Sequence, residues 1–201
     1  MLFIVTNPVS MKTHILLTLL LIPFLLFVSC KDDDEGTPRQ MTKTYTYSQN
    51  LRGSAGVKGE LPLPDLRLVD VIGTEPASTL RDAELQLAES HLEISGLNQL
   101  AAADTGTVIL EDFTIRIGNR SAINLGNCST DPQGVNEFAS DVQLSTNQMI
   151  NIIQNVFADL TSGSKNAKIS VSFTPSVDIT TADNLQLNIH FGGIYHYAEI
   201  E

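Results

Sequence analysis

From Ala167 to Ile179 the chain alternates apolar and polar residues without a break. Ile169, Val171, Phe173, Pro175, Val177 and Ile179 fall on one parity; Lys168, Ser170, Ser172, Thr174, Ser176 and Asp178 fall on the other. Successive side chains of an extended strand point to opposite faces, so this pattern specifies a strand with one buried face and one wet face. Pro175 has no N–H to give to a ladder, which predicts an edge position or a bend at that point.

The same period recurs, with interruptions. Leu185, Leu187, Ile189 and Phe191 share a parity, and beyond Gly192–Gly193 the residues Ile194, His196, Ala198 and Ile200 take the other. A one-residue change of phase at two glycines predicts a β-bulge or a tight hairpin there. Similar changes separate Leu85 and Leu87 from Leu92 and Ile94, and Val108 and Leu110 from Phe113, Ile115 and Ile117. Bulged long strands or pairs of shorter ones account for both. Lys43 to Leu51 and Leu66 to Ile72 are two further candidate strands, joined through a stiff Leu61-Pro62-Leu63-Pro64 connector.

Helical spacing dominates one segment, Asn147 to Leu160, where Met149, Ile153, Val156, Phe157 and Leu160 share a face. Ser145 or Thr146 can cap its start and Gly163 can end it. One amphipathic helix among six or seven strands implies a mainly β domain, a β-sandwich or barrel-like fold with the helix covering a sheet or an open end.

The first residues follow different rules. Ile15 to Val28 is an apolar run of 14 residues broken only by Thr18 and Pro23, with Lys12 and His14 ahead of it and Ser29-Cys30 closing it. A short basic region, an apolar core and a small residue at the cut make a secretory signal. The run is short for a helix that must span a bilayer with roughly 20 residues. Met11 fits the start of such a signal better than Met1 does.

Phe27-Val28-Ser29-Cys30 resembles the lipobox of bacterial lipoproteins, with Phe27 where that family usually has Leu. The resemblance implies cleavage before Cys30 and acylation of its thiol. Each buried CH₂ of an acyl chain contributes about 0.8 kcal/mol, so several chains on one residue hold a domain to a membrane. The run Lys31-Asp32-Asp33-Asp34-Glu35-Gly36 resembles the acidic export signal of Bacteroidetes-type surface lipoproteins. That resemblance implies an outer-membrane lipoprotein facing the cell surface; the periplasmic leaflet is the alternative. An EF-hand is excluded, because Asp32 and Asp34 lack the Gly and the distant Glu of that loop. The chain then divides into a signal peptide (1–29), a lipidated cysteine with an acidic tether (30–40) and one β-rich domain (41–201).

Formal net charge is −11, and Lys12 is the one charged residue before Cys30, so the chain from Cys30 onward carries 11 basic and 23 acidic side chains. Phosphate backbones repel such a chain, which argues against a nucleic-acid partner. Cys128 is the second of two cysteines. With Cys30 acylated it has no disulfide partner in the chain, and its polar, turn-like surroundings suggest a bystander thiol.

Candidate chemistry is sparse. Asp104-Thr105-Gly106 resembles the aspartic-protease triplet, but that chemistry needs two facing carboxylates, and a turn before Val108 explains the residues. His91, His190 and His196 show no ligand spacing, so no metal or cofactor is expected. Thr161-Ser162-Gly163-Ser164 fits a helix-ending turn and is not a nucleophile elbow. Glu84, Glu89, Glu93, Glu111 and Asp112 could supply paired carboxylates if the fold brought two together. Tyr45, Tyr47, Tyr195 and Tyr197 form two i, i+2 pairs that would make one contact surface if their strands were neighbours.

These features favour a lipid-anchored binding or structural module that meets an envelope protein or an extracellular ligand; a small secreted hydrolase using strand-face carboxylates is the alternative. If the acidic run directs export, changing Asp32, Asp33 and Asp34 to Ala removes the protein from the reach of protease added to intact cells. Unchanged accessibility contradicts the export reading.

Overall fold

The alternation seen in the sequence becomes antiparallel pairing in the computed structural model, which describes residues 36–104, 107–129 and 146–199. The signal-like segment, Cys30, Lys31, Asp32, Asp33, Asp34 and Glu35 lie outside the described residues, as do Thr105, Gly106 and Ser145. In chain order the elements begin β1 (Thr37–Asn50), β2 (Gly59–Pro62), β3 (Leu66–Arg67), α1 (Leu68–Ile72), α2 (Thr74–Ser78), β4 (Leu80–Ser95) and α3 (Leu97–Asp104). They continue with β5 (Ile109–Ile117), β6 (Ile123–Ser129), α4 (Thr146–Thr161), β7 (Asn166–Ala167), β8 (Ile169–Pro175), a 3₁₀ turn (Thr181–Asp183) and β9 (Gln186–Glu199).

The fold is mainly β. A three-stranded sheet has the order β1-β9-β4, a four-stranded sheet has β2-β8-β5-β6, and β3 pairs with β7. Strand β9 is the centre of the first sheet. It pairs with β1 in unbroken register from Thr37 opposite Glu199 to Asn50 opposite Gln186. The segment expected to be a linker up to Gln40 therefore already belongs to β1.

That register corrects the reading of Gly192–Gly193. β9 neither bulges nor turns at the glycines, and its phase does not change. Leu187, Ile189, Phe191 and Tyr195 are all buried on the odd face, while Gln186, His190, Ile194 and His196 are half-buried on the even one. The glycines answer two close approaches instead. A Cβ on Gly192 would lie 2.8 Å from Glu89 Cβ, and one on Gly193 would lie 2.7 Å from Tyr195 Cζ and 2.8 Å from Phe157 Cε2.

Strand β4 is the long bulged strand that the change of phase implied. From Gln86 to His91 it advances five positions while β9 advances two, from Gly192 to His190. The odd difference swaps parity. Even residues of β4 from Asp82 to Gln86 face outward before the bulge and odd residues after it, so Leu92 and Ile94 enter the core. β5 carries the second bulge, where Asp112 takes φ 51° and donates its N–H to Asn127 Oδ1 at 3.0 Å.

Strand β8 lies inside its sheet, between β2 and β5, so Pro175 is not on an edge strand; it is the last residue of β8, where a missing donor is tolerated. Leu61-Pro62 belongs to the edge strand β2. The strand expected over Leu66 to Ile72 is two residues long and turns into α1. There Leu68, Val71 and Ile72 are buried at i, i+3, i+4 spacing, and Arg67 grips Asp70 with two bonds of 2.8 and 3.0 Å. Helices α1, α2 and α3 are too short to write a periodic face into the sequence.

Helix α4 is the expected amphipathic helix. Its Ile152, Ile153, Val156, Phe157 and Leu160 are buried, and it touches β4 of one sheet and β5 and β6 of the other. Phe157 packs against Phe191 and Tyr195 with ring centroids 6.3 and 5.8 Å apart. Phe113 of β5 stacks on Phe173 of β8 at 5.4 Å. One continuous apolar cluster joins these residues. After α4, Lys165 rather than Gly163 takes the left-handed conformation (φ 50°), and its ammonium donates to the Ala77 carbonyl at 2.6 Å near the end of α2.

Because Gly193 faces two buried rings that have no room to retreat, Gly193→Ala lowers unfolding stability by about 1–3 kcal/mol, the usual cost of overpacking a core. A urea titration of the two proteins measures it; equal midpoints would show that the rings can shift.

Candidate functional site

The outward face of the three-stranded sheet is tiled with polar side chains in register. Thr46, His190 and His91 form one row across β1, β9 and β4; Ser48, Asn188 and Glu93 form the next, and Asn50, Gln186 and Ser95 a third. The rows are bonded laterally. Gln186 Nε2 donates to Asn50 Oδ1 at 3.0 Å, and Asn188 Nδ2 donates to Glu93 Oε1 and to Ser95 Oγ, each at 2.9 Å. Asn188 is only 5% exposed, so its amide is a fixed part of the face.

Within this array His91, Glu93 and His190 converge, with their ligand-type atoms all within 4.8 Å of one another. The two imidazoles stack at a centroid distance of 4.0 Å and 16° between planes. His190 Nδ1 lies 2.7 Å from Thr46 Oγ1. Its Nε2 is buried without a hydrogen-bond partner and lies 3.6 Å from Glu93 Oε1. The expectation that the histidines show no ligand spacing is corrected here. His91 and Glu93 are an i, i+2 pair on one strand face, and His190 comes from the neighbouring strand. The spacing was readable; the strand pairing was not. His196 shares the outward face but sits six residues along β9, about 20 Å away at strand rise.

The tyrosines do lie on neighbouring strands, yet they do not make a contact surface. Tyr47 and Tyr195 are buried on the inward face, 4% and 0% exposed, and Tyr45 and Tyr197 are half-buried. Tyr45 lies opposite Phe191 in the register and packs on it at 5.9 Å. Without Trp, this chain places two of its four Tyr rings, Tyr47 and Tyr195, in the core. Burial raises the phenol pKa of both Tyr47 and Tyr195.

The carboxylates divide between the sheets. Glu84, Glu89 and Glu93 are on β4, whereas Glu111 and Asp112 are on β5, where Asp112 meets Lys58 at 3.2 Å. Glu93 meets histidines and amides rather than a second acid. Among the described residues the carboxyls that shift are Asp70, lowered by Arg67, and Asp183, lowered by bonds from Thr180. Asp104 ends α3. Cys128 is not in a turn: it lies on β6, 1% exposed, and burial pushes its thiol up to about 12, which makes it a poor nucleophile. Ser162 and Ser164 cap the end of α4 by donating to the Asp159 carbonyl. Beside them runs an open groove of about 650 Å³, lined by Arg120, Asp159, Asn166 and Lys168 among others. Arg120 closes one side by a two-bond grip on Asp159 at 2.6 and 2.8 Å.

The two buried tyrosines differ in one respect that mutation can read. Tyr47 donates to the Pro64 carbonyl at 2.6 Å, while the Tyr195 hydroxyl is buried with no partner. Tyr47→Phe therefore costs about 1 kcal/mol, and Tyr195→Phe leaves stability unchanged or raises it by up to about 1 kcal/mol. Urea midpoints of the two variants should move in opposite directions or differ by that amount; equal losses would contradict the assignment.

No protein-family model, no curated protein and no solved structure matches the chain, so its own surface chemistry carries the functional reading.

Proposed function

We propose that the protein is a lipid-anchored envelope module, held at a membrane through Cys30, that binds an extracellular ligand or envelope protein on the outward face of its three-stranded sheet. The supporting observation is the polar array of Thr46, Ser48, Asn50, Gln186, Asn188, Glu93 and Ser95, in which Gln186 is bonded to Asn50 and Asn188 to Glu93 and Ser95. Hydrogen-bonding groups already fixed in place lose little entropy on meeting a partner. The anchor rests on the lipobox-like Phe27-Val28-Ser29-Cys30 and the acidic run behind it. Six residues separate Cys30 from the start of β1 at Thr37. Among the described residues no helix is long and apolar enough to cross a membrane.

The hydrolase alternative needs two converging acids, and no observation favours it. Ser48 is exposed in the second row of the face, so Ser48→Arg adds bulk and charge where a partner would sit without disturbing the core. Full-length protein taken from gently solubilised envelopes should retain a stoichiometric, salt-resistant partner, and Ser48→Arg should lose it with no change in unfolding midpoint. A partner retained equally by both proteins, or none in either, refutes this face as the contact surface.

A further inference from the structure

The buried Nε2 of His190 has no hydrogen-bond partner, and the imidazole of His91 and the carboxylate of Glu93 bring their ligand-type atoms within 4.8 Å of a His190 ring nitrogen. We propose that His91, Glu93 and His190 form a binding site for a divalent transition metal of the zinc class. Imidazole and carboxylate are the donors that suit such an ion, whereas magnesium and calcium prefer all-oxygen sites.

The geometry is close to what the ion needs. Zinc bonds of 2.0–2.1 Å in a tetrahedron place ligand atoms about 3.3 Å apart. His190 Nε2 and Glu93 Oε1 are already 3.6 Å apart, and the widest separation in the trio is under 4.8 Å. Stacked rings hold their in-plane lone pairs in two nearly parallel planes about 4 Å apart, so one ring must turn for both to point at one ion. His91 is the exposed member and is the one that turns.

The surroundings hold the other two ligands. Thr46 Oγ1, 2.7 Å from Nδ1, can accept a hydrogen bond from a protonated Nδ1, which leaves the Nε2 lone pair directed at the site. Asn188, itself buried, fixes Glu93 through its Nδ2. The bulge in β4 is what brings the trio together: in the register before it, His190 would lie opposite Ala88. A simple His–Glu ion pair is the plainer account of these residues. At 3.6 Å, however, the pair is too long for a hydrogen bond and leaves the buried nitrogen unsatisfied. With three protein ligands on a solvent-facing sheet, the fourth position is open to water.

The test is a titration of the untagged full-length chain in detergent with Zn²⁺, followed by Co²⁺ as a spectroscopic substitute. The expected result is one Zn²⁺ per chain, Co²⁺ bands in the visible of a four- or five-coordinate ion that Zn²⁺ abolishes, and no competition from Mg²⁺ or Ca²⁺. His91→Ala, which removes an exposed side chain and leaves the fold intact, weakens binding by more than tenfold, and Thr46→Val weakens it by about tenfold through the orientation of His190. His196→Ala changes nothing. Absence of one-equivalent binding overturns the proposal. So does binding that survives in His91→Ala with unchanged affinity, which would place the ion elsewhere.

Discussion

Strand β9 is hydrogen-bonded along both edges, and that double pairing governs the rest of the three-stranded sheet. A central strand has no freedom to slip, because moving it by one residue would exchange its faces against two neighbours at once. Its odd residues Leu187, Ile189, Phe191 and Tyr195 must therefore be core, and its even residues Gln186, Asn188 and His190 must set the outward surface. The two glycines keep this arrangement intact by leaving room on opposite sides. Gly192 clears the bulge of β4 on the outward face, and Gly193 clears the aromatic contact with helix α4 on the inward one.

The bulge in β4 is the second determinant. From Asp82 to Gln86 the even residues of β4 share the outward face, and from His91 onward the odd residues do. A strand without the bulge would bury His91 and Glu93 and expose Leu92 and Ile94, at a hydrophobic cost of about 1.5–3 kcal/mol for each apolar side chain. The apolar pattern thus enforces the bulge, and the bulge in turn places an imidazole opposite His190. Ser90 helps to close it, donating to the Gln86 carbonyl at 2.8 Å and accepting from the Gly192 N–H at 3.2 Å.

The sequence carried the period-two strands, the long helix and the bulges of β4 and β5 because each is local: the chemistry of a dozen consecutive residues states it. The reading failed where a residue's environment is set by a distant segment. Gly192–Gly193 looked like a change of phase because Ile194 and Ala198 are apolar; which face is buried was decided by helix α4 lying against Tyr195. Leu66 to Ile72 read as a strand because Leu66, Leu68 and Ile72 share parity, while Val71 supplied the helical spacing that packing selected. The histidine–glutamate cluster was half legible. His91 and Glu93 stand two apart in the sequence, but the third member is about a hundred residues away, and only the β4–β9 register joins them.

The placement of polar groups follows the same logic at a finer scale. Behind the bulge, where residues 87–90 have no ladder partners on β9, the sheet loses backbone bonds that would fasten β4 to β9. Side-chain bonds resume at once beyond it: Asn188 to Glu93 and Ser95, with Thr46 to His190 on the other flank. The two Asn188 bonds, which are the ones that join β9 to β4, are each worth about 1 kcal/mol net in a half-buried setting and offset part of the interrupted ladder. An ion held between His91, Glu93 and His190 would fasten the same two strands at the same point, and anything that binds only the folded chain stabilises it by mass action. A site on the outward face beside the bulge therefore sits where the sheet gains most from a link between β4 and β9.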